Sequence, residues 1–271
     1  MDYVNLTFDK VLNLSGKEIM IIAAEKDQII VIHNRHHAFL ASQLASNLHK
    51  DIRIYVRDWL EHLIAIASHD DSYQISNKRY YIDEKGAPKD FKNVALDPKL
   101  TIAFLKNLEL KSQWIYVMSL CHLYERFQKQ NKVNNELQKF VKTEKLKICK
   151  QLKITMKTAQ QGHQILKWAD SFSMALCRNI GQKGSWSKQL AMLPGDIASK
   201  IWVNQNNVII QPNVINKEFK RFTVEYKIIP NRTYEDDEDL FKTLSKTPSK
   251  HKEWIVSALN YSDEKQISYS K

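Results

Sequence analysis

Breakers of regular structure are scarce in this chain, with 6 glycines and 6 prolines among 271 residues. Together with abundant Lys, Leu and Ala, that scarcity favours helices over a turn-rich all-β sandwich. Hydrophobic residues make up 43% and charged residues 26%. Such a chain buries a substantial core, so disordered, collagen-like and low-complexity classes are excluded. The length suits one large domain or two modest ones.

Hydrophobic patterning supplies the organisation. Ile19–Ala24 and Ile29–Ile32 read as two short strands around a polar turn. A helix is expected over about residues 35 to 48 with Asn34 as its N-cap, and a second over Asp58–Asp70. The polar stretch Asp71–Leu96 has the length of a binding loop or lid. Asp97-Pro98 then opens a helix to about Asn107, and further helices fit Gln113–Gln130, Asn134–Leu152 and Met156–Cys177. Ile201–Val203, Val208–Ile210 and Phe222–Ile229 have strand character, Asp236–Leu244 suits a short helix, and Trp254–Leu259 is a further apolar segment. The expected fold class is mainly α. A single domain over 1–271 has a helical core at 34–180 and a small antiparallel sheet built from flanks at 17–33 and 200–260 (α+β overall), because neither flank alone buries a face.

The formal charge of +11 favours anionic partners. Lys142, Lys145, Lys150, Lys153 and Lys157 fall on one side of a helical projection. No aromatic residue interleaves them, so they read as a solvated face and argue against nucleic acid. Cys121, Cys149 and Cys177 form neither a disulfide framework nor a metal knuckle and read as buried thiols. No segment approaches the length of a membrane span, and the chain is expected in the cytoplasm. Glu235–Asp239 lacks the spacing of a calcium loop and reads as a helix start, while Gly181–Ser185 reads as a helix terminator.

Chemistry enters with the histidines. His37 shares helical offsets of 3, 4, 7 and 11 with Leu40, Ala41, Leu44 and Leu48, so it points at the core, while His36 points at the rim. His69 and Asp70 end the second helix about 100° apart and can reach one ion beside it. Asp70 and Asp71 together at the negative end of a helix dipole are odd chemistry that a cation would resolve. Asp170 is the only charge in Trp168–Cys177, and a carboxylate in such company needs a partner. Arg178 and Lys167 are its structural candidates, a metal the functional one. His122 follows the apolar run Met118–Cys121.

The order His37, His69-Asp70, His122, Asp170 resembles the HD-domain superfamily of metal-dependent phosphohydrolases. The runs Arg35–Ala38, Ala67–Asp71 and Gly86–Phe91 look more narrowly like an uncharacterised bacterial HD-like family. The resemblance implies a helical bundle in which His37, His69, Asp70, Asp170 and His122 hold one or two ions of Fe, Mn or Zn. Asp70 and His122 would serve catalysis, and a metal-activated water would attack a phosphorylated or other small anionic substrate, a nucleotide or phosphoester included. Asp71 and Tyr73, beside the doublet, and Lys85, Lys89, Arg126 and Arg178, by charge and neighbourhood, are the substrate-facing candidates. Many members carry an aliphatic residue, a glycine and a lysine after the doublet; here Asp71, Ser72 and Tyr73 stand there, which weakens phosphoester hydrolysis relative to metal binding. A di-iron oxygenase of the same ligand set and a non-catalytic nucleotide- or partner-binding module are the alternatives. The β-rich tail either caps the bundle or joins two copies.

Overall fold

The computed structural model describes residues 20–71, 81–93, 98–129, 135–216 and 220–258. The chain opens with β1 (Met20–Ala24) and β2 (Gln28–His33) and runs without a loop into α1 (Asn34–Ser46). There follow α2 (Lys50–Arg53), α3 (Trp59–Ala67), a 3-10 turn at Phe91–Asn93, α4 (Pro98–Lys111), α5 (Gln113–Lys129), α6 (Asn135–Gln151) and α7 (Met156–Arg178). The remainder is β3 (Ser185–Gln189), β4 (Lys200–Asn204), β5 (Asn207–Gln211), β6 (Lys220–Pro230), α8 (Asp237–Lys246) and β7 (Lys250–Ala258). Side-chain caps fix three helix starts: Asp58, Thr155 and Asp236 each accept the N–H three residues on, at the heads of α3, α7 and α8.

The sheet overturns the expectation of a mainly helical bundle with a small antiparallel sheet. Seven strands join in the order β1-β2-β6-β7-β5-β4-β3, and β5 runs parallel to β7, so the sheet is mixed and the fold is α+β. The two ends of the chain do meet, with Ile29 opposite Ile229 in the β2–β6 pair. What patterning hid was the extent. β3 is almost wholly exposed, so its Ser-Trp-Ser-Lys-Gln has no apolar alternation, and it lies before residue 200. β7 begins Lys-His-Lys-Glu, a polar start that conceals its pairing with β6.

Helix α1 lies between the sheet and α7. The Gln43 amide binds both backbone groups of Thr223 on β6, donating to its C=O at 3.0 Å and accepting its N–H at 3.1 Å. On α7, the buried Trp168 indole donates to Ser199 Oγ at 2.8 Å. The segment at residues 81–93 is pinned to this body. Asp237 Oδ1 accepts the N–H groups of Tyr81 and Ile82, and Asp90 Oδ2 accepts that of Ile22 on β1 at 3.0 Å. Gly86 has φ +75°, and a Cβ there would meet the Tyr234 carbonyl oxygen at 2.5 Å, so the contact requires glycine. The three cysteines are buried and free. Among the described residues, no helix is long and apolar enough to cross a membrane.

Candidate metal centre

Four helices bring the histidines and aspartates together. His37 projects from α1, His122 from α5 and Asp170 from α7, while His69 and Asp70 follow the last turn of α3. His37 Nε2 lies 2.8 Å from Asp70 Oδ2 and 3.8 Å from Asp170 Oδ1. His69 Nε2 lies 3.4 Å from Asp70 Oδ2 and 3.6 Å from Asp170 Oδ1. His122 Nε2 stands 3.8 Å from the other Asp70 oxygen, Oδ1. Two sets, His37/His69/Asp70 and His69/His122/Asp170, each offer ligand atoms within 4.8 Å of one another, with His69 common to both.

Hydrogen bonds on the far side of each ring determine which nitrogen faces the centre. The His69 Nδ1–H donates to the Ile66 carbonyl at 2.6 Å. Ser173 Oγ–H donates to the Asp170 carbonyl at 3.0 Å and therefore accepts from the His37 Nδ1–H at 2.9 Å. Both Nδ1 atoms are thus engaged on the outer side and both Nε2 atoms point inward at carboxylate oxygens, with His37 Nε2 hydrogen-bonded to Asp70 Oδ2 at 2.8 Å. A ring that gave up its Nε2 proton would offer that nitrogen's lone pair to a cation. His69 Nε2 is buried and has no hydrogen-bond partner. Asn34 Nδ2 donates to Asp70 Oδ2 at 2.7 Å. Asn34 is thus no N-cap: it is the first residue of α1, and its amide orients the acid instead.

Two carboxylates side by side, Asp70 buried and Asp170 half-buried, need positive charge. Burial alone pushes the His69 imidazole down, but the Asp70 and Asp170 carboxylates outweigh it and raise the ring to about 9. Burial likewise pushes both aspartates up, yet the neighbouring imidazoles hold them well below the usual carboxylate range. His122 is depressed to about 4 by burial and by the charge of His69. Without an ion a proton occupies the centre; a divalent cation would replace it with a better geometric match to four or five N and O donors.

Over residues 20–231 the sequence matches the model of a family described as a protein of unknown function, DUF3891. The chain belongs to that family. No curated protein and no solved structure matches it. All five clustered residues of this DUF3891 chain fall inside the matched stretch, and α8 and β7 fall beyond it.

The centre forms the floor of a cavity of about 910 Å³. Asp170 is 24% exposed against 5% for Asp70 and 0% for His69, so it is the most exposed of the ligand candidates, and His122, at 15%, also meets the cavity. The sequence suggested an acid surrounded by apolar residues. In the structure its neighbours Trp168, Ala169 and Phe172 are fully buried in the core, while Asp170 turns to the cavity. Neither structural partner named for it takes that role: Arg178 binds Asp90 through two bonds of 2.7 Å, and Lys167 binds Glu125 at 2.7 Å.

Arg126 and Arg178 line the cavity; Lys85 and Lys89 do not. Lys85 is exposed in a turn whose backbone is bound by Asp83, and the Lys89 backbone N–H pairs with Tyr81 O. Asp71 lies 3.6 Å from Arg35 and lines a separate cavity of about 440 Å³, because the chain turns after α3 and sends consecutive side chains to opposite sides. Tyr73 lies outside the described residues. The cations that sequence reasoning did not assign to the cavity are Lys92, Lys167 and Lys188. Asn34 and Ser173 were also missed, although each sits three residues from a ligand candidate on the same helical face, a signal the spacing did contain.

Proposed function

We propose that this DUF3891 protein is a metal-dependent hydrolase of HD-like type, acting on a small phosphorylated or otherwise anionic substrate. The observation that carries it is the pair of imidazoles held by their Nδ1 atoms so that both Nε2 atoms converge on two carboxylates, the buried Asp70 and the half-buried Asp170. Neutral imidazole with carboxylate suits iron, manganese or zinc. The fit to the HD order of ligands, with His122 as the addition, supports the same assignment. An ion bound here supplies Lewis acidity, which activates a water and orients an anionic group.

The chain's own groups account for the rest. Ile66 O and Ser173 Oγ hold the two rings in register, and Asn34 holds Asp70. Arg126, Arg178, Lys92, Lys167 and Lys188 surround a floor of two carboxylates, so an anion is drawn to the cavity and rejected by its bare floor. A cation on that floor removes the conflict. The binding-module alternative would gain support from Asp170 paired to Arg178 or Lys167, and both cations are engaged elsewhere.

A second reading concerns two ions. The Asp70 oxygens face different imidazoles, Oδ2 toward His37 and His69 and Oδ1 toward His122, as a bridging carboxylate would. With two irons the same donors also suit oxidation. The test is metal content and turnover of nucleotides and phosphoesters, with oxygen consumption measured alongside, comparing wild type with Asp70→Ala and Asp170→Ala. Hydrolysis of an anionic ester lost in both variants supports the proposal; properly loaded protein with background metal defeats it.

A further inference from the structure

The wall above the floor carries a second polar layer. On α7, Lys167 precedes Asp170 by three residues, about 4.5 Å of helix rise, on the same face. On α5, Glu125 follows His122 by three residues in the same way. The two helices face each other, so His122 opposite Asp170 makes the lower layer and Glu125 opposite Lys167 the upper one. Lys167 Nζ is held by Glu125 Oε1 at 2.7 Å, and all four residues line the cavity. His163 closes the back of this layer, with Nδ1 3.8 Å from Glu125 Oε2 and its ring edge-on to His122 at 5.8 Å.

We infer that Lys167 is the group that meets the departing oxygen of the substrate, and that Glu125 is its positioning residue. The inference rests on the hydrolase reading above. An ester seated with its phosphoryl group on the floor presents its bridging oxygen toward the mouth, at the level of the Lys167–Glu125 pair about 4.5 Å of helix rise above Asp170 and His122. As the oxygen of a water bonds to phosphorus, the bond from phosphorus to the bridging oxygen breaks. The bridging oxygen leaves with the bonding pair and takes a proton from Nζ. The proton released by the water passes to solvent, and the amine regains one from solvent at the cavity mouth.

The chemistry singles out Lys167 among the cations around it. Arg178 is committed through both terminal nitrogens to Asp90, and Arg126 lies over the Phe91 ring at 5.7 Å. A guanidinium also keeps its proton at any pH an enzyme meets, whereas an ammonium exchanges it. Lys92 and Lys188 come from the 3-10 turn and the exposed strand β3, neither of which supplies a residue to the floor.

The test uses manganese-loaded full-length protein, with metal content measured alongside. Two readouts follow in wild type, Lys167→Ala, Lys167→Arg and Glu125→Gln. The first is inorganic phosphate binding by titration calorimetry. The second is hydrolysis of a series of aryl phosphates with leaving groups from dinitrophenol to phenol. Lys167→Ala should keep wild-type metal content, bind phosphate about tenfold more weakly, and lose about 10²–10⁴-fold on the phenyl ester with less than about tenfold lost on the dinitrophenyl ester. Lys167→Arg should restore phosphate binding and leave the phenyl ester slow, because charge returns without a transferable proton. Glu125→Gln should fall between wild type and Lys167→Ala. Phosphate affinity unchanged in Lys167→Ala, or equal losses on every ester, overturns the assignment of Lys167 while leaving the metal centre standing. A wild type without bound manganese overturns the hydrolase reading and this inference together.

Discussion

Two histidines at opposite ends of the α3 segment are both fully buried, yet they live in opposite chemistry. His62 sits between Trp59, at 5.7 Å, and Trp114, at 5.9 Å, and its Nδ1 accepts the Trp114 indole N–H at 3.2 Å. Its proton is therefore on Nε2, and burial alone depresses it to about 3. Seven residues on, His69 carries its proton on Nδ1 and faces two carboxylates, which lift it to about 9. Burial is common to both sites, so burial does not mark function. The convergence of two carboxylates on one ring is what sets His69 apart, and it is the feature on which the proposed metal site rests.

The largest effect expected from this contrast is on metal content. Asp70→Ala or Asp170→Ala should weaken metal affinity more than about 100-fold, beyond the loss that removing an outer hydrogen bond causes, as measured by competition with a chromophoric chelator. Ser173→Ala comes next. It frees the His37 ring without touching a donor atom, and about 10–100-fold in metal affinity should go with it. If Ser173→Ala binds metal like wild type, the fixed orientation of the His37 ring does not matter to the centre.

Stability against pH separates the two histidines in ion-free protein. The folded His62 resists the proton that the unfolded ring takes below its ordinary 6.5, so stability is complete above 6.5 and erodes as pH falls toward 3. His69 behaves oppositely: its folded form holds a proton that the unfolded ring gives up above 6.5, so stability is complete below 6.5 and erodes as pH rises toward 9. Each slope approaches about 1.4 kcal/mol per pH unit. Urea denaturation between pH 4 and 9 with chelator present should show a shallower acid slope in His62→Gln, with the depressed His122 and His163 carrying the remainder, and the loss of the His69 share of the alkaline slope in His69→Gln. The smallest effect should be that of His62→Gln at pH 7. It keeps an acceptor for Trp114 and should leave metal content at the wild-type value, so a loss of metal there would erase the distinction between the two sites.

The same contrast explains what the sequence revealed and what it did not. Helix periodicity located α1, α3, α5 and α7 within a few residues, because each has a continuous apolar face, and the ligand candidates stood out as polar residues on or beside those faces. The sheet was legible only where strands are buried. Ile29–Ile32 gave β2, but β3 is an exposed edge strand whose composition carries no periodic signal. Contacts from the outer layer were harder, since they depend on tertiary placement. Lys92 reaches the cavity because the 81–93 segment is tied to Asp237 and β1, and Lys188 because β3 pairs with β4 at the sheet edge. Asp71 failed for a local reason: adjacent residues past a helix end point apart, and Arg35 draws it to the other side.

The most direct measurement is anomalous X-ray diffraction from crystals of the protein loaded with manganese or iron, collected on both sides of the metal edge. A peak bounded by His37 Nε2, His69 Nε2, Asp70 Oδ2 and Asp170 Oδ1 is expected, with room for a second on the His122 side. Loaded crystals with no anomalous density there, and with the His69 ring still protonated against its two carboxylates, would contradict the proposed metal site.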